Sequence, residues 1–197
     1  MFSLSDLTVS AAASSRGLSN EPATDAHRNN LNLMVDFLAK IPHSFRINSV
    51  YRSPTVNAAV GGAKSSQHMQ GLAIDLSPNT MSNKEFATWL WQYQESFPEL
   101  DQVIWYTDTS HVHVGICPTG AVGCVSGAPR KAFYTAKKEG SNYTRWIPED
   151  ATILPVLQTY AEVHPLRTLG IVFAGVSTVV GVVFLALRRR RKKKDKA

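Results

Sequence analysis

Ser66-Gln67-His68-Met69-Gln70-Gly71-Leu72-Ala73-Ile74-Asp75 decides how the chain is read, together with His111-Val112-His113. From Gly71 onward the residues alternate, with Leu72, Ile74 and Leu76 on one face and Ala73 and Asp75 on the other. That is the period of a half-buried β-strand whose large residues face the core. His111-Val112-His113-Val114 repeats the pattern, both histidines sharing one face and both valines the other. Two neighbouring strands of this kind aim Asp75, His111 and His113 into one cleft. His68 precedes the first strand in a turn, from which its ring can fold back to the same point.

Imidazole nitrogens and a carboxylate oxygen are zinc ligands, and a catalytic zinc takes three protein ligands and keeps a fourth position open. His68, Asp75 and His113 form such a set. A zinc held there polarises a carbonyl and acidifies a water. Taken singly, a histidine is more often a surface residue and an aspartate at a strand end more often caps a turn. The joint spacing, with Gly71 and Ala73 at fixed offsets, is what points to a metal.

Ser66-x-His68-x-x-Gly71-x-Ala73-x-Asp75 followed by His113 resembles the signature of the zinc D-alanyl-D-alanine carboxypeptidases and related peptidoglycan endopeptidases, in the branch found in phages and prophages. Tyr51-Arg52-Ser53-Pro54, Asn57 to Gly62, and the opening Phe2, Leu4, Leu7, Thr8, Gly17, Asn20 and Pro22 match that branch as well, so the resemblance spans roughly residues 2–133. It implies an α+β fold, a small antiparallel sheet flanked by helices around a single zinc, and cleavage of wall peptides containing D-amino acids. It implies His68, Asp75 and His113 as the zinc ligands. Arg52 matches an arginine that binds a substrate carboxylate or polarises the scissile carbonyl, work suited to a planar guanidinium. Several relatives carry Asp or Glu three residues before the last ligand, where this chain has Ser110. His111, on the ligand face, is then a candidate for proton transfer or oxyanion stabilisation. Asp108 is the alternative base, or a partner orienting a histidine ring.

The chain has 197 residues, 44% of them hydrophobic, enough for one core. Its formal charge of +6 belongs to the tail: eight basic residues and Asp195 within residues 188–196 carry +7, leaving the remainder at −1. A near-neutral body gives no reason to expect a nucleic-acid partner. Residues 1–19 lack the basic start and apolar core of a signal peptide. Ser3 to Asp6 reads as a capped short helix, residues 11–16 as a loop, and residues 20–24 as the start of a longer helix. Leu31, Met34, Leu38 and Ile41 recur along that helix at helical spacing, widened by Leu33 and Phe37. His27 and His43 read as ordinary surface or capping residues. A strand over 45–51 leads to Arg52, a helix with Pro54 in its first turn follows, and Ser77-Pro78-Asn79 reads as a turn. Ser82-Asn83-Lys84-Glu85 is a capping box. Strands are expected over 102–106 and 131–136, with Trp105 either in the core or on an aromatic wall for a peptide, and Arg130 beside the cleft. Cys117 and Cys124 are the only cysteines, either two free thiols or a disulfide in an oxidising compartment.

Domain boundaries follow: a zinc peptidase domain over 1–139, a Pro-interrupted linker over 140–167, a transmembrane helix over 168–187 and a basic tail over 188–197. Residues 169–187 carry no charge and rise about 28 Å as a helix, enough to cross a hydrocarbon core. The basic run places the tail in the cytoplasm and the domain outside, in the periplasm for a bacterium. The expectation is therefore a membrane-anchored zinc metallopeptidase, a D,D-carboxypeptidase or endopeptidase acting on peptidoglycan in phage-type wall lysis or remodelling. Two other classes fit: an inactive zinc-containing wall-binding module, since the acidic base is missing at Ser110, and a membrane-acting lytic protein whose head is a plug. Oligomeric state is not legible.

Overall fold

The computed structural model describes residues 2–124 and 127–148. Helix α1 (Leu4–Thr8) opens with the expected capping box between Ser3 and Asp6 and buries Leu7 completely. Residues 11–16 are not all loop: Ala11–Ser14 form a one-turn helix, α2, capped by the Ser10 hydroxyl at 3.2 Å from Ala13 N. Alanines behind a serine cap favour helix even over four residues. Helix α3 (Asp25–Ala39) starts after its Thr24 cap and buries Leu31, Met34, Phe37 and Leu38. Each such side chain stabilises the fold by roughly 1.5–3 kcal/mol, so this stripe rather than propensity fixes the helix.

The sheet has six strands: β1 (Phe45–Ser49), β2 (Ala73–Pro78), β3 (Leu100–Tyr106), β4 (Val112–Ile116), β5 (Ala132–Ala136) and β6 (Thr144–Arg145), in the order β1-β2-β4-β3-β5-β6. Helix α4 (Pro54–Ala59) and α5 (Asn83–Gln92) complete the framework, α5 starting at the predicted Ser82–Glu85 capping box. The sheet is mixed, not antiparallel: β5 runs parallel to β3. The reason is the connection. β4 ends at Ile116 opposite Leu100, where β3 begins. Just beyond that end, a Cys117–Cys124 disulfide closes the chain on itself. β5 therefore enters beside the start of β3 and runs with it, Ala132 opposite Gln102.

β2 differs from the half-buried strand expected of it. Both faces are buried from Ala73 through Ser77, and the strand continues through Pro78 where a turn was expected. Leu72, Ile74 and Leu76 enter the core as the alternation requires. The opposite face is covered by the groups of the cleft described below. The domain also runs past the boundary read at Glu139. β6 pairs with β5, and Trp146 packs on the core and against Trp105 at 5.8 Å between ring centroids. Trp105 thus belongs to the core side. His27 and His43 are not bare surface groups: the His27 ring meets Tyr51, and His43 stands edge-on to Trp89.

Among the described residues no helix is long and apolar enough to cross a membrane. The span expected at 168–187, the basic tail and the linker beyond residue 148 lie outside the described residues.

Candidate metal centre

β2 and β4 set the geometry. Their antiparallel register places Asp75 directly opposite His113, on the face away from the core. The third donor comes from a 3-10 turn, Gln67–Gln70, closed by Gly71 in the left-handed region at φ 71°. This turn returns the His68 ring to the strand pair. His68 Nε2 lies 3.2 Å from Asp75 Oδ1 and 3.2 Å from His113 Nδ1, and His113 Nδ1 lies 2.9 Å from the same Asp75 oxygen. These three atoms form a compact triangle of possible ligands. A tetrahedral zinc with bonds of about 2.0–2.1 Å spaces its donors about 3.3 Å apart, so the triangle fits one face of such a site.

Each donor is held from behind. His68 Nδ1 donates to the Val50 carbonyl at 2.7 Å, which fixes the tautomer and turns the Nε2 lone pair towards the triangle. Asp75 Oδ2 accepts from Arg52 Nη2 in a buried ion pair, leaving Oδ1 to the histidines. Burial pushes the Asp75 carboxyl upward, but the His68 charge and the hydrogen bond from His113 outweigh it and hold the group well below the usual carboxylate range. Burial lowers the proton affinity of His68, outweighing the pull of Asp75. An ionised carboxylate beside a histidine that gives up its proton readily suits a metal, whose binding displaces protons from its ligands.

Arg52 is positioned by the N-terminal segment. Tyr51 N donates to Leu7 O at 3.0 Å and Arg52 N to His68 O at 3.1 Å. Asn20, nearly buried, donates to the carbonyls of Thr8 and Tyr51 and accepts from Ser53 N at 2.7 Å. One amide therefore ties helix α1 to the arginine turn. The guanidinium reaches Ser49 Oγ, Asp75 and, through Nη1 at 3.3 Å, Glu139 Oε1.

The donors open into a cleft of about 200 Å³ lined by His68, His113, Tyr106, Arg130, Glu139 and Tyr143 among others. Arg130 stands there as expected, its Nε and Nη2 held by Asp101, which also accepts from Gln67 Nε2 at 3.0 Å. Tyr106 is pushed far above the ordinary phenol range by burial, with Tyr143, Asp75 and Glu139 adding to it. It stays protonated at neutral pH.

The structure brings together His68, Asp75, His113 and Arg52. It does not bring Asp108 or Ser110, both exposed in the turn between β3 and β4. Asp108 Oδ1 accepts from Thr107 Oγ1 at 2.6 Å. His111 precedes β4 and lies against Tyr106 at 5.0 Å between centroids, outside the cleft lining. Sequence reasoning missed Glu139, Tyr143 and the inward face of Tyr106. The last was legible, since a strand with Trp105 in the core turns Tyr106 to the opposite side.

A comparison with curated proteins finds no match. A family model, Peptidase M15, matches residues 1–115, which include all three donors and Arg52. Peptidases of this family are zinc-dependent, and the His-Asp-His group found here can hold a metal. By the extent of that match and the donors it contains, the chain belongs to the Peptidase M15 family.

Proposed function

We propose that this metallopeptidase hydrolyses stem-peptide or cross-link bonds of bacterial peptidoglycan, as a D,D-carboxypeptidase or endopeptidase of phage-type wall lysis or remodelling. The observation that carries the reading is the His68–Asp75–His113 triangle, preset beside Arg52 at the floor of an open cleft. Zinc bound to these three residues supplies Lewis acidity for a peptide carbonyl and for water. The chain itself does the rest. Arg52, anchored on Asp75, presents positive charge to the scissile carbonyl or to a substrate carboxylate. The Tyr106 hydroxyl and Arg130 offer further donors along the cleft.

The test is a digest of purified peptidoglycan with the full chain, with and without chelator, read by mass spectrometry. Chelator-sensitive fragments are expected. Release of terminal D-alanine identifies a carboxypeptidase, and loss of cross-linked dimers an endopeptidase. Intact wall in the presence of chain carrying one zinc would instead make it a wall-binding module, the reading that Ser110 favours.

The same proposal places the domain outside the cytoplasm, anchored by residues 168–187. The uncharged span and basic run support it, as does the Cys117–Cys124 bond, since such bonds persist in oxidising compartments. In intact cells expressing the chain, both cysteines are expected to resist a thiol-alkylating reagent until reduced. Labelling without reduction would place the domain in the cytoplasm.

A further inference from the structure

A peptidase that attacks with water needs a group to take the water's proton and deliver it to the leaving amine. None of the candidates read from the sequence lies in the cleft. Asp108 is exposed on the β3–β4 turn, as is Ser110, where several relatives carry an acid, and the Ser110 carbonyl accepts from Ser77 Oγ. His111 lies against Tyr106. Asp75 is buried in the floor with both oxygens engaged, one by Arg52 and the other by the two histidines.

We infer that Glu139 is the proton-transfer carboxylate of this site, an assignment that rests on the peptidase reading above. Glu139 lines the same cleft as His68 and His113. Its Oε1 accepts from Arg52 Nη1 at 3.3 Å, while Nη2 of that guanidinium holds Asp75. A single planar group therefore spaces the carboxylate from the metal-side aspartate. The Glu139 side chain is 42% exposed, so water and substrate reach it, as they do not reach Asp75.

The loop that carries it is built. Ser141 Oγ accepts from Lys138 N and donates to Lys138 O at 2.6 Å, and Gly140 turns the chain at φ 78°. Tyr143, on the far side of the turn, lines the cleft too. The loop starts where β5 ends, and the parallel pairing of β5 with β3 delivers it to the cleft. It lies beyond residues 1–115, the part matched to the family.

The proton balance is simple. As the water oxygen bonds to the scissile carbonyl carbon, a Glu139 oxygen takes one proton from it. When the C–N bond breaks, that proton passes to the amide nitrogen, leaving an acid, an amine and an ionised Glu139. Arg52, bonded to both carboxylates, keeps Glu139 oriented through the cycle.

The experiment compares zinc-loaded full chains of wild type, Glu139→Gln, Glu139→Asp and His111→Ala on solubilised wall peptides, measuring kcat, KM and zinc per chain. Glu139→Gln is expected to lose about 10²–10⁴-fold in kcat, with KM and one zinc per chain retained, and Glu139→Asp to recover part of the loss. The inference is overturned if Glu139→Gln stays within about tenfold of wild type, or if it loses zinc in step with activity. It is equally overturned if His111→Ala abolishes turnover while Glu139→Gln retains it. An inactive wild type carrying zinc sinks the peptidase reading and this inference with it. An active wild type beside an active Glu139→Gln sinks this inference alone.

Discussion

Asp75→Ala is expected to abolish wall-peptide cleavage, leave the chain without its metal, and lower the melting temperature of the metal-free protein. One residue does all three because its two oxygens face different ways. Oδ1 completes the donor triangle with His68 and His113. Oδ2 neutralises Arg52, whose side chain is only 8% exposed. Removing one partner of a buried pair strands the other charge, at a cost of about 3–5 kcal/mol. Ser49 and Glu139 still bond the guanidinium, so the lower part of that range is expected. In a chain of this size it corresponds to a fall of roughly 6–12 °C. The comparison is made on chelated wild type and variant by calorimetry, so that lost metal binding does not enter the difference. The chelated wild type should itself melt cooperatively. A variant that melts with the chelated wild type would mean that Arg52 is not held by this carboxylate.

Gly71→Ala should be nearly as damaging to stability, although Gly71 carries no chemistry. Its φ of 71° costs a residue with a Cβ about 1–2 kcal/mol. The new methyl would also lie 3.0 Å from Leu31 Cγ and 3.3 Å from the His27 carbonyl. Leu31 is fully buried in α3, so overpacking adds about 1–3 kcal/mol. Relief comes only by shifting the turn, and Gly71 N is bonded to His68 O within it. The expected result is a lower urea midpoint together with weaker zinc binding. A loss of stability under about 1 kcal/mol with unchanged zinc affinity would show that the turn tolerates the methyl without moving His68.

The donors were legible because strand alternation is short-range information. Leu72, Ile74 and Leu76 on one face force Asp75 to the other, and the same holds for Val112, Val114 and His113. The Asp75–His113 register then brings the two faces into one site. Arg52 was legible through its motif, although its hold on Asp75 was not. Glu139 had no such signal. It sits 64 residues beyond Asp75, on a turn with no periodicity, and reaches the cleft only because β5 pairs in parallel with β3. That pairing depends on where a long loop exits, which local sequence does not encode. Residues 11–14 were misread for a related reason: four residues are too few to show a helical period, and only the Ser10 cap marks the helix. The domain boundary slipped because Tyr143 and Trp146 earn their place through the cleft and the core, not through neighbours in sequence.

The supports behind the donors have one more consequence. Val50 O behind His68, Arg52 behind Asp75 and the β2–β4 register beneath His113 are all supplied by the polypeptide. In domains whose ligands gather only around the ion, folding waits for metal. Here each donor is already gripped by the polypeptide, so an ion would have little chain left to order. Most of the free energy of binding would then go into affinity for the ion and little into folding.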